Sequence, residues 1–240
     1  MKFIVCDNYD EMSNEAAKIV AQQLKDKSDS TLGLATGSTP IGLYKALINE
    51  YKEGNISFKD VKTFNLDEYY PISKDNDQSY YYFMNDNLFS HVDIDLKNTD
   101  IPNGEAPDAA AECEDYEKRL SAGDGIDIQI LGIGQNGHIG FNEPDESLFM
   151  NTHLTGLTQN TIEANSRFFA SIDDVPKSAL TMGIGSIMKA KKIILLASGS
   201  NKKDAVDALK NDKITTNFPA TMLKLHSDVV IICDKDAYNK

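Results

Sequence analysis

The sequence has no tryptophan, only three cysteines and only two arginines among its 240 residues. The cysteines are Cys6, Cys113 and Cys233; they lie far apart and form no Cys-x-x-Cys pair. Their odd number and the apolar runs around the first and last of them predict buried free thiols in a reducing compartment.

Long apolar segments are also missing. No segment approaches the roughly 18 continuous apolar residues of a membrane span, and the first residues (MKFIVCDN) lack the apolar core of a signal peptide. We therefore expect a soluble, cytoplasmic protein with no membrane partner.

Positive charge is scarce as well. The net charge of −13 and the pI near 4.7 argue against a nucleic-acid partner, which would need clustered cations. A local pocket can still be positive on an acidic protein. A phosphate would therefore have to be bound by a few well-placed groups.

Short apolar runs alternate with helical patterns along the chain, and 41% of the residues are hydrophobic. This alternation predicts an α/β fold, a single Rossmann-like three-layer domain over residues 1–240 with a mostly parallel central sheet flanked by helices. The predicted strands are 2–6, 31–36, 61–66, 126–132, 192–197 and 228–233; the predicted helices are 14–24, 40–51, 79–89, 107–121 and 202–210. Ligands of such sheets bind beyond the carboxyl ends of the strands, where the unusual residues of this chain occur.

The first unusual segment is residues 34–44 (LATGSTPIGLY). Thr39 suits an N-cap and Pro40 a first helical position. Gly37 permits a tight turn, while Ser38 and Thr39 place hydroxyls beside the free amides of a helix N-terminus, an arrangement suited to phosphate. An ordinary capped turn explains the segment equally well, and no Gly-Lys-Ser/Thr follows to make it a P-loop.

The second segment, residues 63–70 (TFNLDEYY), ends a predicted strand with the adjacent carboxylates Asp67 and Glu68. Neighbouring side chains in an extended chain point opposite ways. Only one carboxylate should then face a cleft, while the other can bond to backbone or to a partner helix. A partly desolvated carboxylate there suits a general base; a solvated turn is the alternative.

The third segment, residues 131–144 (LGIGQNGHIGFNEP), contains a G-x-G-x-x-G pattern that is typical of dinucleotide sites. The residues after it do not look like a helix, and no acidic residue ends a second strand about 20 positions on, so this interpretation is weak. What remains is a glycine-lined loop that carries Asn136, His138 and Glu143. Imidazole is the natural acid–base group near neutral pH, Glu143 can fix its tautomer, and Asn136 can hydrogen-bond without adding charge. No second His or Cys is close to His138, so we predict no metal site.

Cations for an anionic ligand must come from elsewhere in the chain. Arg119 lies in a charged helix and indicates solvated surface, whereas Arg167 precedes two aromatic residues and suits bidentate binding of an oxyanion. Lys202 follows a predicted strand and begins a helix, which also fits an anion site, with Lys203 as a competitor for this role.

Four motifs in this order carry a close resemblance: ATGSTP, FNLDEY, GHIGFNEP and ANSRFF. Throughout its length the chain resembles the glucosamine-6-phosphate deaminases. The resemblance implies conversion of glucosamine 6-phosphate and water to fructose 6-phosphate and ammonia, in amino sugar catabolism and without a cofactor.

The resemblance also implies roles for individual residues. His138 would open the pyranose ring, Glu143 would orient the imidazole and balance its charge, and Asn136 would be the third member of this relay. Asp67 would take the proton from C2 and deliver it to C1 through an enolamine, which requires a pocket poor in water.

The phosphate would rest on Gly37, Ser38 and Thr39 and be held by Arg167 and Lys202. These are the same residues that the local patterns favour for anion binding.

Two departures from the family pattern bear on function. Many relatives carry aspartate where this chain has Asn136, which puts a relay of three charges in doubt. Hexameric relatives bind an activating sugar phosphate through a serine, an arginine and a lysine, where this chain has Glu146, His153 and Thr155. An acid in place of a hydroxyl repels phosphate. The chain also ends soon after its last predicted strand, and we expect a monomer or small homo-oligomer without an activator site.

Three alternatives remain open from the sequence. A 6-phosphogluconolactonase would share the fold and the phosphate-binding segment, although the LDEY and FNEP motifs fit a deaminase better. A galactosamine-6-phosphate isomerase would differ only in contacts to C4. A non-catalytic sugar-phosphate sensor should carry an appended DNA-binding region and eroded acid–base residues, and this sequence shows neither.

Overall fold

The computed structural model describes residues 1–166, 169 and 171–238. The strands are β1 (Lys2–Cys6), β2 (Thr31–Leu34), β3 (Lys62–Asn65), β4 (Asp67–Tyr70), β5 (Thr99–Asp100), β6 (Ile128–Leu131), β7 (His153–Gly156), β8 (Ser178–Thr181), β9 (Lys192–Ala197) and β10 (Val229–Asp234). The α-helices are α1 (Tyr9–Asp26), α2 (Ile41–Lys52), α3 (Tyr80–Asn87), α4 (Ala109–Ser121), α5 (Gln159–Ser166), α6 (Ile184–Met188), α7 (Lys203–Lys210) and α8 (Lys235–Tyr238). Short 3-10 helices cover Phe89–His91, Leu96–Asn98, Ile172–Asp174, Ser200–Lys202 and Pro219–Leu225.

The main sheet has seven strands in the order β1-β10-β9-β6-β2-β3-β5, and every pair in it is parallel. All the strands predicted from the apolar runs lie in this sheet. The strands at its centre, such as β6 and β9, are buried almost throughout, as expected when helices cover both faces of a parallel sheet. The predicted three-layer α/β fold is therefore confirmed.

The direction in which the chain crosses the sheet changes between β2 and β6. From β2 the chain proceeds to β3 and β5 on one side, and from β6 it proceeds to β9 and β10 on the other. Such a switch point leaves a crevice at the carboxyl ends of the two strands, which is where ligands of open α/β sheets bind.

A second sheet was not predicted. Strands β4, β8 and β7 form an antiparallel sheet in the order β4-β8-β7. Leu66 joins the two sheets, since its N–H donates to the carbonyl of Leu34 in β2 and its carbonyl accepts from the N–H of Met182 after β8. Asp67 therefore begins a strand of the small sheet, immediately after the end of β3.

All five predicted helices start at a different residue in the structure, α1 by five residues and the others by one or two. Helix α1 begins at Tyr9, five residues before the predicted start at residue 14, because Asn8 caps it by accepting from the N–H of Glu11. For α2, the prediction of Thr39 as the N-cap is wrong by one residue. Pro40 occupies the N-cap position in a helical conformation and has no capping side chain.

Candidate active site

The segment after β2 forms a turn over the N-terminus of α2. Gly37 has φ of 94°, a left-handed conformation that glycine adopts without strain. Gly37 and Ser38 are exposed and Thr39 is half-buried. Among the described residues, the hydroxyls of Ser38 and Thr39 have no hydrogen-bond partner, so both are available to a ligand.

A tyrosine that the sequence did not single out shapes this turn. The Tyr9 hydroxyl donates to the carbonyls of Ser38 and Thr39, at 3.0 and 3.1 Å, and accepts from the N–H of Gly42 at 2.8 Å. At the base of the turn, the buried Tyr44 hydroxyl donates to the carbonyl of Ala35 at 2.5 Å. The carbonyls of Ser38 and Thr39 therefore point toward the Tyr9 hydroxyl.

Asp67 and Glu68 follow β3 and are both buried, at 6% and 2% exposure. Glu68 accepts from the N–H groups of Tyr69, Tyr80 and Tyr81 at 2.9–3.0 Å and so anchors the start of α3. No described residue donates a hydrogen bond to the Asp67 carboxylate. Glu68 thus bonds to backbone, as expected for one member of the pair, whereas the Asp67 carboxylate has no donor among the described residues.

Burial raises the pKa of both carboxylates. Desolvation, with a smaller contribution from the charge of Glu68, raises the pKa of Asp67 to about 8. Desolvation raises the pKa of Glu68 to about 7, against the opposing effect of its three backbone donors. A carboxylate whose pKa lies near the working pH can both take and return a proton.

The loop after β6 brings Asn136, His138 and Glu143 together. Nδ1 of His138 lies 3.2 Å from Oε1 of Glu143, at ion-pair distance although not aligned as a hydrogen bond. Nδ2 of Asn136 donates to Oε2 of Glu143 at 2.7 Å. The single carboxylate of Glu143 therefore contacts both of its predicted partners.

Two glycines of this loop, Gly134 and Gly137, are required by close packing. A side chain at position 134 would collide with the His138 imidazole, and one at position 137 would collide with the ring of Phe218. Gly137 and Gly140 also have positive φ values, of 82° and 58°. The pattern that resembled a dinucleotide fingerprint thus serves to fold the loop around the histidine.

The loop also reaches Asp67. A methyl group built on Gly140 would lie 3.6 Å from Oδ2 of Asp67 and 2.9 Å from Oγ1 of Thr181. Phe141, the next residue, packs with Tyr69 and Tyr80 into an apolar cluster. Asp67 is therefore enclosed by the histidine loop on one side and by aromatic rings nearby, which limits its access to water.

Of the two cations predicted to bind phosphate, Lys202 lies among the described residues and Arg167 does not. Lys202 ends the 3-10 helix after β9 and is half-buried, and desolvation lowers its pKa. No carboxylate in the described part of the chain forms an ion pair with it. Arg167 lies outside the described residues. Lys203, the alternative to Lys202 as the phosphate-binding cation, is also half-buried and begins α7.

Topology brings the described candidates to one edge of the main sheet. Strands β9, β6, β2 and β3 are consecutive neighbours, and at their carboxyl ends lie Lys202, the histidine loop, the turn at Gly37 and Asp67 respectively. Within residues 1–166, 169 and 171–238, no group of three or more His, Cys, Asp and Glu side chains could hold a metal ion. No helix of that part is long and apolar enough to cross a membrane.

The candidate residues thus lie at the carboxyl ends of parallel strands beside a switch point, where ligands of open α/β sheets bind. Residues 7–232 match the family model of glucosamine-6-phosphate isomerases/6-phosphogluconolactonase. A glucosamine-6-phosphate deaminase of Clostridium botulinum is 57% identical over 240 residues, covering 100% of this chain and 98% of the relative. That of Clostridium perfringens is 56% identical over 237 residues, covering 99% and 98%.

Solved structures agree with this assignment. A monomeric glucosamine-6-phosphate deaminase superposes with a TM-score of 0.96 and 48% identity, covering 99% of this chain and 98% of that one. The 6-phosphogluconolactonase of Trypanosoma brucei has the same fold, with a TM-score of 0.80, 19% identity and coverage of 98% and 97%. The chain belongs to the glucosamine-6-phosphate isomerase/6-phosphogluconolactonase family, and within it to the glucosamine-6-phosphate deaminase group.

Proposed function

We propose that the protein is a glucosamine-6-phosphate deaminase that converts glucosamine 6-phosphate and water to fructose 6-phosphate and ammonia. The observation that carries the proposal is the contact between two acid–base systems, Asp67 and the loop that carries His138 and Glu143. Asp67 lies against Gly140, while His138 and Glu143 lie in the same short loop. A hydrolase of lactones needs no second carboxylate to move a proton between carbons.

His138 is proposed to open the sugar ring. It takes the proton of the C1 hydroxyl and supplies one to the ring oxygen, which releases the open-chain aldehyde. Glu143, at 3.2 Å, orients the imidazole and stabilises its protonated form. Asn136 donates to the second oxygen of Glu143 and so fixes the carboxylate without adding charge.

Asp67 is proposed to carry out the isomerisation. Its carboxylate takes the proton from C2 and gives an enolamine between C1 and C2. The same carboxyl then returns the proton to C1, and a proton passes from the nitrogen to the C1 oxygen, which leaves an imine at C2. Water adds to this imine and ammonia leaves, giving the ketone of fructose 6-phosphate. Burial of Asp67 keeps the proton from exchanging with solvent between the two transfers.

The phosphate is proposed to bind at the turn after β2. The hydroxyls of Ser38 and Thr39, the backbone at Gly37 and the N-terminus of α2 offer donors there. Lys202 and Arg167 are proposed as the cations, Lys202 because it is half-buried and without an ion-pair partner among the described residues. A cation already paired in the free protein would gain less from the phosphate.

The proposal also covers the domain organisation and the oligomeric state of the protein. We propose that residues 1–240 form one catalytic domain, since the main core cluster extends from Cys6 to Ala237. We also propose that the protein is a monomer, because the solved deaminase that shares 48% of its sequence is monomeric. We propose a cytoplasmic location for the protein, in keeping with free cysteines at all three positions.

One coupled assay tests the function. Purified protein is given glucosamine 6-phosphate, and ammonia and fructose 6-phosphate are measured in the same sample. We expect the two products in equal amounts, with galactosamine 6-phosphate as the comparison substrate. Hydrolysis of 6-phosphogluconolactone without release of ammonia would establish the lactonase instead, and binding of the sugar phosphate without turnover would establish the sensor.

A further inference from the structure

Three segments that are distant in the sequence meet beside Asp67. The N–H of Phe141 donates to Oγ1 of Thr181 at 3.1 Å, which attaches the histidine loop to β8. In the β4–β8 ladder Thr181 is paired with Asp67 itself. Through this hydrogen bond the loop that carries His138 is attached to Thr181, which pairs directly with Asp67, the proposed base.

Asn142 makes a second connection between the same elements. Its Nδ2 donates to the carbonyl of Ile139 within the loop, at 2.9 Å, and to the carbonyl of Met182, at 2.8 Å. The N–H of Met182 donates in turn to the carbonyl of Leu66, which precedes Asp67. A continuous chain of hydrogen bonds therefore joins the loop to the backbone beside the base.

These connections are buried and closely packed. Thr181 has no exposed surface and Asn142 is 3% exposed. Gly140 lies against both Thr181 and Asp67, where an added methyl group would already be within 2.9 Å of the threonine hydroxyl. Buried hydrogen bonds in such packing allow little relative movement of the joined segments.

We infer that Thr181 and Asn142 are positioning residues that fix the separation between the ring-opening loop and Asp67. This inference rests on the proposed function, in which one sugar must offer its ring oxygen to His138 and its C2 hydrogen to Asp67 in the same binding pose. A displacement of about 1 Å from a reactive geometry can cost on the order of a hundredfold in rate. Neither residue has to touch the substrate for this effect.

The test uses Thr181→Val, which removes the hydroxyl acceptor and retains the branched shape, with glucosamine 6-phosphate as substrate in heavy water. Two quantities are measured: kcat, and the fraction of fructose 6-phosphate that carries deuterium at C1. We expect kcat to fall by about ten- to a hundredfold and the deuterium fraction to rise above that of the unaltered enzyme. The proton held by a displaced Asp67 has more time to exchange before it reaches C1.

The deuterium fraction separates positioning from a loss of folded protein. A purely structural role for Thr181 would lower the amount of active enzyme and leave the isotope content of each product molecule unchanged. Thr181→Ser retains the hydroxyl and should restore both quantities. Ser30→Ala serves as the matched control, because it also removes a buried hydroxyl. Ser30 precedes β2, at the end of that strand away from the proposed site, so the deuterium fraction should not change.

Two results would overturn the inference: an unchanged kcat in Thr181→Val, or a reduced kcat with an unchanged deuterium fraction. If Thr181→Val does not fold, Asn142→Ser removes the bridge to Met182 and is judged by the same two quantities. Failure of the proposed function is a separate outcome, since the unaltered enzyme would then release no ammonia.

Discussion

Asn136 donates to one oxygen of Glu143 at 2.7 Å, while the other oxygen of that carboxylate lies 3.2 Å from His138. The three side chains thus carry one formal negative charge, where an aspartate at position 136 would give two. Asn136 supplies the hydrogen atom of its bond to Glu143, whereas an aspartate there would have to take up a proton from solvent to form the same bond.

Asn136→Asp should therefore remain active, within about tenfold of the unaltered enzyme near pH 6, because two adjacent carboxylates share a proton. Its kcat should decline as the pH rises and this shared proton is lost. Activity assays across a pH series measure this. Asn136→Leu, which removes the donor altogether, should be less active at every pH; full activity of that variant would show that the bond to Glu143 has no part in catalysis.

His138→Gln should separate ring opening from isomerisation. Glutamine can form hydrogen bonds but cannot transfer protons near neutral pH, so turnover of the closed sugar should fall by about a hundredfold or more. A substrate analogue locked in the open-chain form bypasses this step and should react at nearly the normal rate. Equal losses on both substrates would remove His138 from the ring-opening role.

The pH dependence of kcat/KM should report the ionisation of Asp67. The base works as a carboxylate and its pKa is raised to about 8, so kcat/KM should increase with pH up to this region. Glu68→Gln removes a negative charge that raises the pKa of Asp67, and the rising limb should move to lower pH. Glu50→Gln, a charge change at the far end of α2, is the control, and an equal shift in both variants would contradict the assignment.

The same carboxylate should make stability depend on pH. The pKa of Asp67 is raised from 3.8 to about 8 on folding, so the folded state holds a proton that the unfolded state releases between these values. The free energy of unfolding should fall across this range as the pH rises. Asp67→Asn does not titrate, so its Tm relative to the unaltered protein should be at least about 4 °C higher at pH 8.5 than at pH 5. A constant difference in Tm would show that Asp67 is not desolvated.

Substrate saturation should be hyperbolic, without activation by N-acetylglucosamine 6-phosphate. Glu146 is exposed and negative, and burial lowers the pKa of His153, whose ring stacks on Phe149. A phosphate would therefore meet a carboxylate and a neutral imidazole at these positions. Initial rates over a range of substrate concentrations test this, and a sigmoidal curve that the acetylated sugar phosphate converts to a hyperbola would contradict it.

The main sheet could be predicted because its strands are apolar runs at the spacing of βα units. The small sheet could not, because Asp67–Tyr70 shows no alternation of polar and apolar residues and His153–Gly156 contains a single apolar side chain. The ladder with β8 forms from tertiary context. For such short strands, packing outweighs the local pattern.

The motifs of the sequence provided the candidate residues of the site, but not the residues that contact them from distant parts of the chain. Asn142 lies within a motif but was not selected, and Thr181 lies in an apolar strand that gives no sign of contact with the loop. For Tyr9 a signal was present. Asn8 and Glu11 have the spacing of a capping box, which would have started α1 at Tyr9. The contact of its hydroxyl with the turn at Gly37 depends on tertiary packing.

The sheet order also governs when the enzyme can first become active during synthesis. Strand β1 has β10 as its neighbour in the sheet, so residues 2–6 wait for residues 229–234 before they can pair. The crevice likewise needs β9, which separates β10 from the strands that carry the acid–base groups. A nascent chain stalled before residue 192 would hold every proposed proton-transfer residue and yet lack β9, one of the two sheet neighbours of β6. Catalysis should therefore begin only after nearly the whole chain has left the ribosome.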